Sequence, residues 1–175
     1  SVDASGKVWA SLLLGKPGFV SILNEATVEI NPTSLTNDLL YKNLKANPQI
    51  GILLIDLANR SRLRLNGIAK VQQEQKTIQL EIQEAFFNCP KYIQIRHLEI
   101  SETESSNQPQ ILNKNSLSNS DKTWISQADT FFIASFHPEI GADASHRGGN
   151  PGFVKVVNDN KLIFPDYVGN NMFQT

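Results

Sequence analysis

The chain has one cysteine, Cys89, three histidines and no excess of either charge: 16 Lys and Arg stand against 17 Asp and Glu, for a net charge of -1. Each scarcity excludes something. A lone cysteine makes no internal disulfide, so a reducing, cytoplasmic setting is the expectation. Charge so balanced offers no field for gathering nucleic acid, and none is expected as a partner. No apolar run approaches the roughly 20 residues of a membrane-spanning helix, so no membrane partner is expected either. His97, His137 and His146 lack the tight spacing of metal ligands, which argues against a zinc site. No signal peptide is visible. The chain opens on Ser1 rather than Met, and the expectation is that its natural start has been lost.

What is present is an ordinary globular composition, 40% hydrophobic and 19% charged over 175 residues, enough for one large domain or two small ones. The chain also repeats itself. "ASLLLGKPGFV" at 10–20 and "ASHRGGNPGFV" at 144–154 agree at seven of eleven positions with a constant offset of 134, the signature of an internal repeat.

In the first copy, "VWASLLLG", "FVSILN" and "ATVEIN" read as a β-meander, with the first segment a buried strand. A short helix follows, capped by Thr36, with Leu39, Leu40 and Leu44 on one face and Pro48 as its stop. "IGILLID" is a buried strand. "RSRLRLNGIAKVQQEQ" and "TIQLEIQEAFFN" alternate at period two as long antiparallel strands with one wet face, turning near Gln75-Lys76. A second helix is expected at "NCPKYIQIRH", with Asn88 as cap and Pro90 in its first turn. The polar stretch from Glu99 to Ser120 reads as a linker, and "SDKTWISQAD" as a helix capped by Ser120. Strands resume at "TFFIASF". The reading is therefore a β-rich unit over 1–98, a linker with a helix over 99–129, and the opening of a second, similar unit over 130–175. That second unit is expected to be incomplete, because nothing after Asn171 matches "NPQIGILLID" or the long hairpin.

"ADTFFIASF", "GADASHRGGNPGFVKV" and "PDYVGNNMFQT", with "GILLIDLANRSRLRLNG" and "FFNCPKYIQIR", resemble the pyridoxamine 5'-phosphate oxidase-like proteins, in particular the branch of flavin-nucleotide-binding proteins. The resemblance implies a mainly β, FMN-binding split barrel: a six-stranded antiparallel Greek-key barrel with small flanking helices, here in tandem. It also implies FMN in a groove between two units, and the expectation is a homodimer, or a C-terminal part past Thr175 that completes the second barrel. One copy would be scaffold and the other specialised. The function implied is that of an FMN-binding oxidoreductase with an unknown small-molecule substrate; the alternative is a non-catalytic module that holds flavin, haem or F420. Pyridoxamine phosphate itself is a doubtful substrate, because the basic C-terminal signature is missing.

The residues of the second copy suit that role. If "DASHR" is extended, Asp143, Ser145 and Arg147 share one face and His146 takes the other. Ser145 and Arg147, with Gly148 and Gly149, then form a candidate phosphate site, since an Arg fork and closely approaching amides suit a dianion. His146 faces either the flavin ring or the barrel interior. The corresponding residues of the first copy are Leu12, Leu13 and Leu14, which can only pack. The competing reading of "SHRGG" is an exposed turn with a solvated Arg. Asp143, Ser145 and His146 do not make a hydrolase triad, because adjacent Ser and His on a strand point apart. Arg60, Arg62 and Arg64 form a row that on its own reads as a solvated sheet face. The resemblance adds Arg62 and Arg64 as contacts to the flavin phosphate or substrate, and Asn88 and Lys91 as residues facing the groove. It also places a phosphate-gripping turn at Asn170, Asn171 and Thr175, against a simple Asn-rich turn. Cys89, at the start of the expected second helix, reads as a packing residue rather than a reactive thiol.

Overall fold

The structure, a computed structural model, describes residues 1–33, 39–72, 77–99 and 112–168. Alternating Val, Ile and Leu make strands β1 (Val20–Asn24) and β2 (Thr27–Ile30), then β3 (Gln49–Asp56), β4 (Ser61–Gln72) and β5 (Thr77–Phe87). All pair antiparallel in one five-stranded sheet of order β1-β2-β5-β4-β3. Three hairpin-linked strands with β2 returning beside β5 is the Greek-key order. The long return carries α1 (Leu40–Ala46), which buries Leu40 and Leu44.

One face of the sheet holds the core: Val28, Ile30, Ile50, Ile52, Leu65, Ala69, Ile78 and Leu80, closed by Leu40 and Leu44 of α1. Fully burying one such side chain stabilises the fold by about 1.5–3 kcal/mol. The opposite face is set by a β-bulge. Asn66 pairs with Glu84 but Gly67 with Ile82, so Gln83 of β5 is the extra residue. Because side chains alternate at period two, one extra residue inverts every later facing. Glu84 and Phe86 therefore stand beside Asn66 and Arg64, away from the core. Gly67 has no room for more than hydrogen here, since a Cβ would lie 2.0 Å from the Glu81 carbonyl oxygen.

After residue 111 come α2 (Asn119–Gln127), the hairpin β6 (Thr130–His137) with β7 (Gly141–Gly148), and the hairpin β8 (Lys155–Asn158) with β9 (Lys161–Ile163). The repeat seen in the sequence is a repeat of structure. Phe19 and Phe153 each donate an amide 3.0 Å to the carbonyl three residues back, at Lys16 and Asn150. Gly18 and Gly152 take φ 90° and 87° in these turns, where a side chain would strain. The hairpins that follow share register and bulge: Ile22↔Val28 and Asn24↔Thr27 in one, Val156↔Leu162 and Asn158↔Lys161 in the other. The isolated bridge Val2↔Val8 sits at the same offset from Phe136↔Ala142 of the β6–β7 hairpin.

The structure is mainly β and antiparallel, as expected, and no closed barrel is present among the described residues. β1 and β3 end the sheet on opposite edges, and β7 lies across the sheet instead of within it. "VWASLLLG" is not a buried strand. It has no ladder partner beyond the Val2–Val8 bridge, and Leu12 and Leu14 are 68% and 56% exposed. Leu13 alone of the three packs on the core. Leu13→Ala is therefore expected to cost about 1–2 kcal/mol in urea unfolding and Leu12→Ala almost nothing; equal losses would refute this extended, alternating reading.

Leu39 is exposed and enters α1 without a side-chain cap bond, so it does not join the buried face of Leu40 and Leu44. Thr36 and the Gln75-Lys76 turn lie outside the described residues. No helix forms at "NCPKYIQIRH". A single turn closes from Ile93 to the Pro90 carbonyl, Tyr92 takes φ 69°, and the chain continues without regular structure, Ile93 buried and Ile95 exposed. The cap of α2 is Ser118 rather than Ser120. Its hydroxyl accepts from the Asp121 amide while Asp121 accepts from the Ser118 amide, a capping box.

Candidate functional site

The site begins with the approach of β7 to β3. At Gly51 a Cβ would sit 2.4 Å from the Asp143 Cα, so only glycine lets the two backbones cross there. That crossing lays β7 over the polar face of β4, which turns Arg62 and Arg64 from a solvated face into an interface, while Arg60 stays exposed in the turn before β4. Arg64 is 5% exposed. It donates through Nη1 to Asp143 Oδ2 at 2.7 Å and through Nη2 to the Ser145 hydroxyl at 3.0 Å. Its guanidinium also lies 5.3 Å from the Phe86 ring centre. Asn66 bridges the layers, donating to Glu84 Oε2 at 3.1 Å and reaching Asp143 Oδ1 at 3.4 Å. Burial pulls the Arg64 proton affinity down, and the Asp143 carboxylate opposes it.

His146, on the next position of β7, is 3% exposed. Arg62 Nη1 lies 3.2 Å from its Nδ1 and 3.3 Å from its carbonyl oxygen. A guanidinium only donates, so Nδ1 is the acceptor and the ring proton sits on Nε2. Burial, then the charges of Arg62, Arg147 and Arg96, lower the His146 pKa from 6.5 to about 4, which keeps the ring neutral near pH 7. The Phe132 ring meets it edge-on with centroids 5.7 Å apart.

The extended segment after β5 runs along the same end of β7. At Gly148 a Cβ would lie 2.0 Å from the Tyr92 carbonyl oxygen, so this glycine too is set by close approach. Gln94 donates to the Gly149 carbonyl at 3.1 Å. Arg96 is ion-paired with Asp129, and this hydrogen bond holds the Asp129 carboxyl below the usual range. Tyr92 stacks on Tyr167 with centroids 4.8 Å apart, and the Lys91 ammonium lies 5.2 Å from the Tyr92 ring centre. Arg62 lies against His146, and the charges of Arg147 and Arg96 also act on that ring, near the end of β7 that Tyr92 and Gln94 approach.

Of the residues singled out in the sequence, Arg62, Arg64, Ser145, His146, Arg147 and Gly148 are brought together, and Lys91 lies on the flanking segment. Arg64 and Ser145 are buried and turned toward each other and Asp143, so what Arg64 faces is protein. Ser145 bonds to Arg64 and His146 lies against Arg62, and no hydrogen bond between Ser145 and His146 is described. Asn88 is buried and donates its amide to the Arg62 carbonyl at 3.2 Å. Asn170, Asn171 and Thr175 lie outside the described residues.

Sequence reasoning missed Asp143 as the counter-ion of Arg64, and missed Asn66, Arg96, Asp129 and the Tyr92–Tyr167 stack. An arginine row on an alternating strand already requires a carboxylate if that face is covered, and Asp143 is the acid in "DASHR". Among the described residues no three His, Cys, Asp or Glu side chains gather to hold a metal ion. No described helix is long and apolar enough to cross a membrane. A separate cleft lined by Leu112, Lys114, Asp121 and Asn160 shares no residue with this site, and its Lys114 is engaged by Asp121. Comparison with known proteins gave no match, neither to a family model nor to a curated protein or a solved structure.

Proposed function

We propose that the chain is an FMN-binding protein of split-barrel type, an oxidoreductase in which the end of β7 receives the flavin phosphate. The observation that carries this reading is that Arg62 lies against His146 while the charges of Arg147 and Arg96 act on the same ring, at the end of β7 that closes on Gly148. With Asp129 as the opposing charge this is a cationic locus, and an arginine fork suits a dianion; the Gly149 amide is already given to the Asp129 carbonyl, so the guanidinium groups would supply the contacts. The stacked Tyr92 and Tyr167 beside it suit a planar ring system. Flavin would supply the redox chemistry, while these residues would bind and orient it. In this reading Arg64, Asp143 and Ser145 hold β7 in place, and Arg147 with Arg62 takes the phosphate. Asn88, Lys91, Asn170, Asn171 and Thr175 belong to the same proposed groove, which a second copy of the chain would complete as a homodimer.

Arg147→Ala is the direct test. FMN affinity, followed by flavin fluorescence, is expected to fall by about 1.5–3 kcal/mol, while riboflavin, which has no phosphate, binds both proteins alike. Equal FMN affinity in the two proteins would remove the phosphate from this site. A Soret band in place of flavin bands in the purified protein would replace FMN by haem.

A further inference from the structure

We infer that Tyr92 is the face on which the planar ring of a bound ligand stacks, and that Tyr167 is a place-holder which that ring displaces. This rests on the flavin reading and adds to it what the ring touches and what occupies that place beforehand. Tyr92 is fixed from several sides. Its φ of 69° lies in the left-handed region, which is strained for a residue with a bulky side chain. Its carbonyl oxygen stands so close to Gly148 that a Cβ there would come within 2.0 Å. Ile93, the next residue, is buried, and its amide closes a turn on the Pro90 carbonyl at 3.3 Å. Strain of this kind persists only where surrounding contacts hold it, and it gathers at ligand clamps.

Tyr167 is held differently. It belongs to the segment after β9, which has no regular structure from Phe164 to Val168. What ties this segment to Tyr92 is the ring stack, with centroids 4.8 Å apart and planes 22° from parallel, and one hydrogen bond from the Tyr92 hydroxyl to the Val168 carbonyl. At 3.3 Å that bond is long for a hydroxyl donor. Tyr167 and Val168 remain 43% and 81% exposed. A fused planar ring system covers more of the Tyr92 face than a phenol does, and so displaces it. The Lys91 ammonium, 5.2 Å from the Tyr92 ring centre, favours a ring edged by carbonyl oxygens over a hydrocarbon one.

The test uses the full chain and FMN, titrated by flavin fluorescence. Tyr167→Ala is expected to raise FMN affinity roughly two- to tenfold, the worth of one competing aromatic pair. Tyr92→Ala should lower it roughly tenfold, and Tyr92→Phe, which keeps the ring, should bind at least as well as the natural protein. Opposite signs are the signature, since a stack that merely held the fold together would weaken binding when either ring is removed. A second readout needs no variant: nuclear Overhauser contacts between the two tyrosine rings are expected in the free protein and should vanish on addition of FMN. An affinity unchanged or lowered by Tyr167→Ala, or ring contacts that persist with FMN bound, overturns the inference and leaves the flavin reading standing. No saturable binding of FMN to the natural protein overturns both.

Discussion

Asp143→Ala is expected to destabilise the protein by about 3–5 kcal/mol, the cost of leaving a buried guanidinium without its counter-ion. Arg64 and Asp143 are both nearly sealed from water, and their 2.7 Å contact is the shortest link described between β7 and the sheet. A surface pair would cost under about 1 kcal/mol to break. The distinguishing experiment is the double variant Arg64→Met/Asp143→Leu, which removes both charges and keeps apolar volume. It should be more stable than Asp143→Ala, because the penalty lies in the orphaned charge rather than in the lost bond. Urea unfolding of the single and double variants measures both. A single-variant loss below about 1 kcal/mol would mean that β7 is not sealed against β4.

Acidification should weaken the fold through His146. Its folded pKa is about 4 against an ordinary 6.5, so between those values the unfolded chain takes a proton that the native ring refuses. Stability from this group is therefore unaffected above pH 6.5, falls as pH drops toward 4, and levels off below. The full loss is about 3 kcal/mol. Carboxylates titrate in the same range, so the contribution is isolated by comparison with His146→Gln, which does not titrate and offers Arg62 an acceptor. Urea midpoints taken near neutrality and at about pH 4.5 should separate for the natural protein and stay closer for the variant. Parallel curves would show that the ring is solvated and free to protonate.

The strands were legible because their signal is local. Period-two alternation within 60–75 and 77–88 needs only the chain itself to be read, and β4 and β5 form inside those spans, over Ser61–Gln72 and Thr77–Phe87. The same holds for the repeat, whose Pro-Gly-Phe turn forms twice with the same hydrogen bond. The helix expected at Asn88 failed because Pro90 and an asparagine cap are only permissive. Ile93 is buried and Gln94 donates to the Gly149 carbonyl, contacts that fix the segment beside β7 without a helix.

The site was half legible. Ser145, His146 and Arg147 stood out because the other copy has leucines there, and the arginines stood out by alternation. What these residues face was beyond the sequence. The inward burial of Arg64 depends on Gly51, a residue with no chemistry of its own, and on one extra residue in β5 that turns Glu84 and Phe86 to the polar face. By itself the sequence determined an antiparallel, mainly β chain with a duplicated turn-and-hairpin and a second copy enriched in polar groups. Only the tertiary structure decided that Arg62 and Arg64 lie in an interface, that Asp143 is the counter-ion of Arg64, and that His146 is buried and neutral. The physical reason is that facing along a strand is a local property, whereas burial and charge pairing depend on which distant strand crosses it.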